Sequence, residues 1–182
     1  MRKINQAVTL FYSSTDDPAS VDRKAAVERV SKNVEQARDI SIHIKYWKDN
    51  IPGGVAKDSG QSRIDSAVDG AFDIYFGCLG PRFGSGTVTE FENALSGHIK
   101  NGVPTEVLFA FDETPINPFS VPENFQSVKD FRSSVQTSKK YGRSILYFTF
   151  SDLDEFSDRL FKDLNEAVRL FQTKIKGGHL PL

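Results

Sequence analysis

Two short stretches concentrate the residues whose types and spacing could do chemistry in this chain. The first is Ser13-Ser14-Thr15-Asp16-Asp17, a run of hydroxyls and carboxylates that ends an apolar segment. The second is Gly80-Pro81-Arg82-Phe83-Gly84-Ser85-Gly86-Thr87, which leads through Val88-Thr89-Glu90 into a helical pattern. Glycines let a backbone approach a ligand closely, and the free amides of a helix start attract anions and polar ligand groups. Glu90 lies about one turn into that helix and points back towards such a cradle, whereas Glu92 lies on a different helix face. The same spacing also fits a capping box, with Ser or Thr at the cap and Glu90 at the third helical position.

Other reactive patterns are excluded or left open. Thr89 stands where a dinucleotide fingerprint needs glycine, and no Gly-Lys-Ser/Thr run supplies a phosphate loop. His43, His98 and His179 are scattered without carboxylates at ligand spacing, which gives no metal site. Cys78 sits inside an apolar run, where a packed thiol is expected rather than a nucleophile. Trp47 precedes Lys48-Asp49-Asn50-Ile51-Pro52-Gly53-Gly54. It can pack over a sheet edge or form an aromatic wall for a ring.

The elements that must position these residues follow from periodicity. Five short apolar runs alternate with segments of helical character: residues 7–12, 40–46, 72–79, 107–111 and 145–150. The second run alternates with a period of two, as an edge strand does, and the third is nearly continuous, as a central strand is. Val27, Val30, Val34 and Ala37 share one helical stripe after the first run. Ile64, Ala67 and Val68 mark a short helix, and Phe91, Ala94, Leu95 and Ile99 mark another over 87–100. Leu153, Phe156, Leu160, Leu164, Ala167, Val168 and Phe171 form the clearest stripe, preceded by the cap Ser151-Asp152. Thr114 to Asn124, with three prolines, reads as a stiff irregular loop. Such alternation predicts an α/β flavodoxin-like three-layer sandwich, a five-stranded parallel sheet of order 2-1-3-4-5 with helices on both faces. Ligands then collect outside the carboxyl ends of strands one and three, where both polar stretches emerge.

Composition limits the function classes. The 182 residues fit a single domain spanning 1–182, and a net charge of −1 argues against a dedicated nucleic-acid binder. One cysteine excludes an internal disulfide framework. No run reaches the roughly 18 apolar residues of a membrane span, and Met1 to Gln6 lack a signal peptide's apolar stretch. A cytoplasmic protein without membrane or nucleic-acid partners is expected.

Together these pieces resemble the Toll/interleukin-1 receptor (TIR) superfamily, and more narrowly the TIR-like effector domains of bacterial defence proteins. Phe11-Tyr12-Ser13-Ser14 resembles the family's first box, and Lys48-Asp49-Asn50-Ile51-Pro52-Gly53 its second. Glu90 occupies the place of the essential glutamate near the start of the helix after strand three. The Trp-Cys pair common just before that glutamate is replaced by Gly86-Thr87-Val88-Thr89. That Gly-Thr-x-x-Glu pattern is instead shared with nucleoside deoxyribosyltransferases, in which the glutamate is a nucleophile on a sugar.

The resemblance implies an NAD hydrolase that cleaves the nicotinamide–ribose bond, with NAD as substrate and no cofactor. Glu90 would be the catalytic residue, stabilising or capturing the oxocarbenium-like ribose. Ser13, Ser14, Ser85 and Thr87 would hold hydroxyl or phosphate oxygens, Arg82 a phosphate, and Trp47 a ring beside Asp49. It further implies activation by homo-oligomer assembly in antiphage defence, with a fused or separate sensor domain. Two alternatives remain: nucleoside or nucleotide N-glycosidic chemistry, and a non-catalytic assembly module acting through the Asp49-to-Gly54 loop.

Overall fold

The computed structural model describes residues 6–46, 72–137, 145 and 147–177. Its element order is β1 (Ala7–Ser14), α1 (Ser20–Arg38), β2 (Ser41–Tyr46), β3 (Ile74–Leu79), α2 (Ser85–Asn101), β4 (Glu106–Asp112), α3 (Phe125–Thr137), β5 (Phe148–Phe150) and α4 (Leu153–Lys176). The five strands pair in parallel in the order β2-β1-β3-β4-β5, the flavodoxin-like α/β arrangement expected from the sequence. β3 is buried at every position, as its unbroken apolar run requires, while β2 at the edge alternates and exposes His43. The register sets Ser13 opposite Gly77 and Ser14 opposite Cys78.

Two apolar layers sandwich the sheet. Val8, Leu10, Ile74, Phe76 and Cys78 pack against α1 and α4; Phe11, Tyr75, Leu79, Phe109 and Phe111 pack against α2 and α3. Strand alternation assigns each residue to its layer, so neighbours in sequence serve opposite cores. The second core is aromatic: Phe91 meets Phe109 at 4.7 Å and Phe131 at 5.7 Å, both edge-on. These rings seat the base of α2 and thereby fix the height at which Glu90 stands.

Several boundaries differ from the sequence expectation. α3 fills the connection between the fourth and fifth strands, where the alternation implied a helix but no stripe was named; Val128, Phe131 and Val135 carry its buried face at steps of three and four. The stiff loop before it contains one 3₁₀ turn, Pro118–Ser120, whose Asn117 side chain accepts the Phe119 N–H at 3.0 Å. Leu153 and Ile99, counted in buried stripes, are exposed at 38% and 41%. Each begins or ends its helix, beyond the reach of the sheet. Ala37 is exposed too, and Ala26 and Arg23 complete the buried face of α1 instead. Asp152 caps α4 as expected, its side chain accepting Glu155 N–H at 2.8 Å. The helix expected around Ile64 to Val68 lies outside the described residues, as do Trp47, Asp49 and the loop to Gly54.

Candidate functional site

The pleat of β1 sends Ser13 and Ser14 to opposite faces of the sheet at the switch point between β1 and β3. Ser13, fully buried, turns towards α2 and donates its hydroxyl to Glu90 Oε2. Glu90 is only 5% exposed. The capping-box alternative is not what forms: α2 starts at Ser85 behind Gly84, which makes no side-chain cap, and the Glu90 carboxylate reaches β1. Glu90 shares a buried stripe with Thr87, Phe91 and Ala94, spaced three, four and seven along the helix.

Tyr75 completes this cluster. Its hydroxyl donates to the Thr87 carbonyl, in the first turn of α2, at 3.2 Å. Burial, and then the adjacent Glu90 carboxylate, hold its phenol well above the ordinary tyrosine range, so it stays a neutral donor. Gly77 makes room for the ring: a Cβ there would stand 2.9 Å from Tyr75 and 2.5 Å from Phe109. The cluster thus holds a carboxylate, a serine hydroxyl and a phenol in an apolar surround.

On the other face Ser14 belongs to a different network. Arg23, fully buried, sends Nη2 to Asp17 Oδ2 at 2.6 Å and Nη1 to Asp112 Oδ2 at 3.1 Å, with Ser14 Oγ at 3.3 Å. A cleft of about 240 Å³ opens on this face, lined by Tyr12, Ser14, Ser20, Lys24 and Tyr46. Lys24 Nζ stands 4.0 Å above the Tyr46 ring. The cleft is separated from Glu90 by the thickness of β1.

Of the predicted residues, the structure brings Ser13, Thr87 and Glu90 together and places Ser14 across the sheet. Arg82 and Ser85 are exposed in the loop and at the first turn of α2. Trp47 and Asp49 fall outside the described residues. Tyr75 and Arg23 were not singled out in the sequence, and Thr15 entered only as part of the hydroxyl-rich run from Ser13 to Asp17. Cys78 is buried, and burial pushes its thiol up to about 12, in keeping with a packed side chain. Among the described residues no group of three or more His, Cys, Asp or Glu could hold a metal ion. Nor is any helix among them long and apolar enough to cross a membrane.

No protein-family model matches the chain, and no curated protein matches it. Among solved structures it is similar to a conserved protein from Enterococcus faecalis V583, at 13% identity and a TM-score of 0.44, covering 86% of this chain and 98% of that one.

Proposed function

We propose that the chain cleaves N-glycosidic bonds, with NAD as substrate and Glu90 as the carboxylate facing the ribose. The observation that supports this most is the buried Ser13–Glu90 hydrogen bond at the switch point, where parallel sheets of this order receive ligands. Breaking the nicotinamide–ribose bond builds positive charge on the sugar, which an oriented carboxylate stabilises or captures covalently. Nicotinamide leaves as a neutral group from a cationic precursor, so no second carboxylate is needed as acid. Ser13 orients Glu90, and the exposed Arg82 and Ser85 offer a cation and a hydroxyl to phosphate oxygens above α2.

A second reading takes a nucleoside instead, with Glu90 adding to C1′ of the sugar as the bond to the base breaks and the departing base takes a proton from water. It is favoured by the Gly86-Thr87-Val88-Thr89-Glu90 run, whose Thr87 and Glu90 are both buried on one stripe. The decisive experiment offers NAD and deoxynucleosides separately to the chain, free and clustered on an artificial scaffold, and follows base release by chromatography. Release of nicotinamide selects the first reading and release from deoxynucleosides the second. Glu90→Gln abolishes either while leaving the fold intact. Activity retained in that variant refutes the assigned role of Glu90. Absence of turnover by the clustered protein leaves the assembly-module reading, with self-association that survives the substitution.

A further inference from the structure

Thr15 stands one residue past β1 and is 3% exposed. Its hydroxyl accepts the Gly80 N–H at 3.0 Å and donates to Asp17 Oδ2 at 3.0 Å. Its own N–H donates to the Cys78 carbonyl at 3.3 Å. Its methyl closes on Gly84, where an added Cβ would come within 2.5 Å of Thr15 Cγ2. Gly84 is the N-cap of α2, the helix carrying Glu90. Gly80 is equally constrained, since a Cβ there would come within 2.3 Å of Asp17 Oδ2. Behind Thr15, Asp17 is anchored by Arg23, which Asp112 fixes to the end of β4.

These contacts close a ring. Ser13 is tied directly to Glu90, and two residues later Thr15 is tied to the start of the helix on which Glu90 sits. We propose that Thr15 is a positioning residue, which sets the approach of α2 to β1 and so keeps the Ser13 hydroxyl on the Glu90 carboxylate. Its two γ substituents have separate tasks. The methyl packs on Gly84, and the oxygen both accepts and donates, as only a hydroxyl can. Orientation of this kind matters because a displacement of about 1 Å at a reacting group can cost about 100-fold in rate.

The activity readout rests on the N-glycosidic reading; the geometry does not. The test compares Thr15→Val, which keeps the shape and loses the hydroxyl, with Thr15→Ser, which keeps the hydroxyl, in the full 182-residue chain. For Thr15→Val, kcat for base release falls about tenfold or more with KM within about twofold, the mark of a lost transition-state orientation. Thr15→Ser recovers to within about threefold of the original rate. Backbone amide exchange in Thr15→Val accelerates in the Gly80-to-Glu90 segment and not in α4, because the loosening is local. Unchanged kcat per folded molecule overturns the proposal, as does acceleration spread evenly through the chain or missing from that segment. If the unsubstituted protein releases no base from NAD or deoxynucleosides, the glycosidic reading fails. The exchange pattern then decides the role of Thr15 by itself: local acceleration supports it, and uniform or absent acceleration rejects it.

Discussion

Ser13 and Ser14 are neighbours in sequence, yet they serve two chemically unlike clusters separated by one strand. On the Ser14 side, a buried guanidinium lies between the carboxylates of Asp17 and Asp112. On the Ser13 side, a buried carboxylate receives a serine hydroxyl beside a phenol. An ion-paired cluster of the first kind ties together elements distant in sequence: the β1–α1 loop, α1 and the end of β4. A carboxylate oriented by a serine hydroxyl retains its capacity to act on a positive charge brought to it. Under the proposed function, this difference gives architecture to one face and chemistry to the other.

The largest effects should divide along that line. Glu90→Gln is expected to lower base release by about 100- to 1,000-fold, the scale on which loss of a key electrostatic group falls, while the thermal unfolding midpoint changes little. Arg23→Met should do the opposite, costing about 3–5 kcal/mol of unfolding free energy because two buried carboxylates lose their partner. Denaturant unfolding measures this, and adding Asp112→Asn to Arg23→Met should restore part of the loss by removing one stranded charge. A loss below about 1 kcal/mol for Arg23→Met would place the cluster among surface-like ion pairs and break the contrast.

Ser13→Ala tests the same division at finer scale. Removing a hydrogen bond to a charged group is worth about 1.5–3 kcal/mol, so kcat should fall about 10- to 100-fold. Ser14→Ala, across the strand, should cost at least about fivefold less by this measure. Equal losses would mean that substrate contacts both faces, and the separation by β1 would no longer sort the residues.

Much of this arrangement was legible in the sequence, for physical reasons that can be stated. Strand alternation and continuous apolar runs gave the sheet order, because a buried central strand and a half-wet edge leave different patterns. Glu90 was visible because a glycine-rich loop followed by a carboxylate is an unusual start for a helix. Arg23 was not, since Val21-Asp22-Arg23-Lys24 reads as an exposed first turn and its partner Asp112 is 89 residues away. Tyr75 read as core filling, which it is, but its hydroxyl meets a carbonyl that only the folded β3–α2 connection brings near. The stripe of α3 was missed although Val128, Phe131 and Val135 carry the correct spacing; polar residues between them and the proline-rich loop before them masked it. Thr15 shows the limit most plainly, because its role comes from two glycines 65 and 69 positions away that admit it.

The smallest expected effect uses alkaline pH to separate the two faces. Cys78 lies opposite Ser14 on the ionic side, and its thiol is pushed from 9.0 up to about 12, by burial first, while nearby Arg23 pulls the other way. The folded state therefore holds a proton that the unfolded chain releases above about pH 9. Stability from this group is fully present below that pH and is lost as pH rises towards 12, with a slope approaching about 1.4 kcal/mol per unit. The phenols of Tyr75 on the hydroxyl side and Tyr12 on the ionic side are also raised by burial, but their unfolded reference of 10.0 delays their contribution. Between pH 9 and 10 the slope should thus belong mainly to Cys78, and Cys78→Ala should flatten it there while leaving the steeper fall above pH 10. Unfolding free energies measured at half-unit pH steps resolve the two. A slope between pH 9 and 10 untouched by Cys78→Ala would refute the assignment of that loss to the buried thiol.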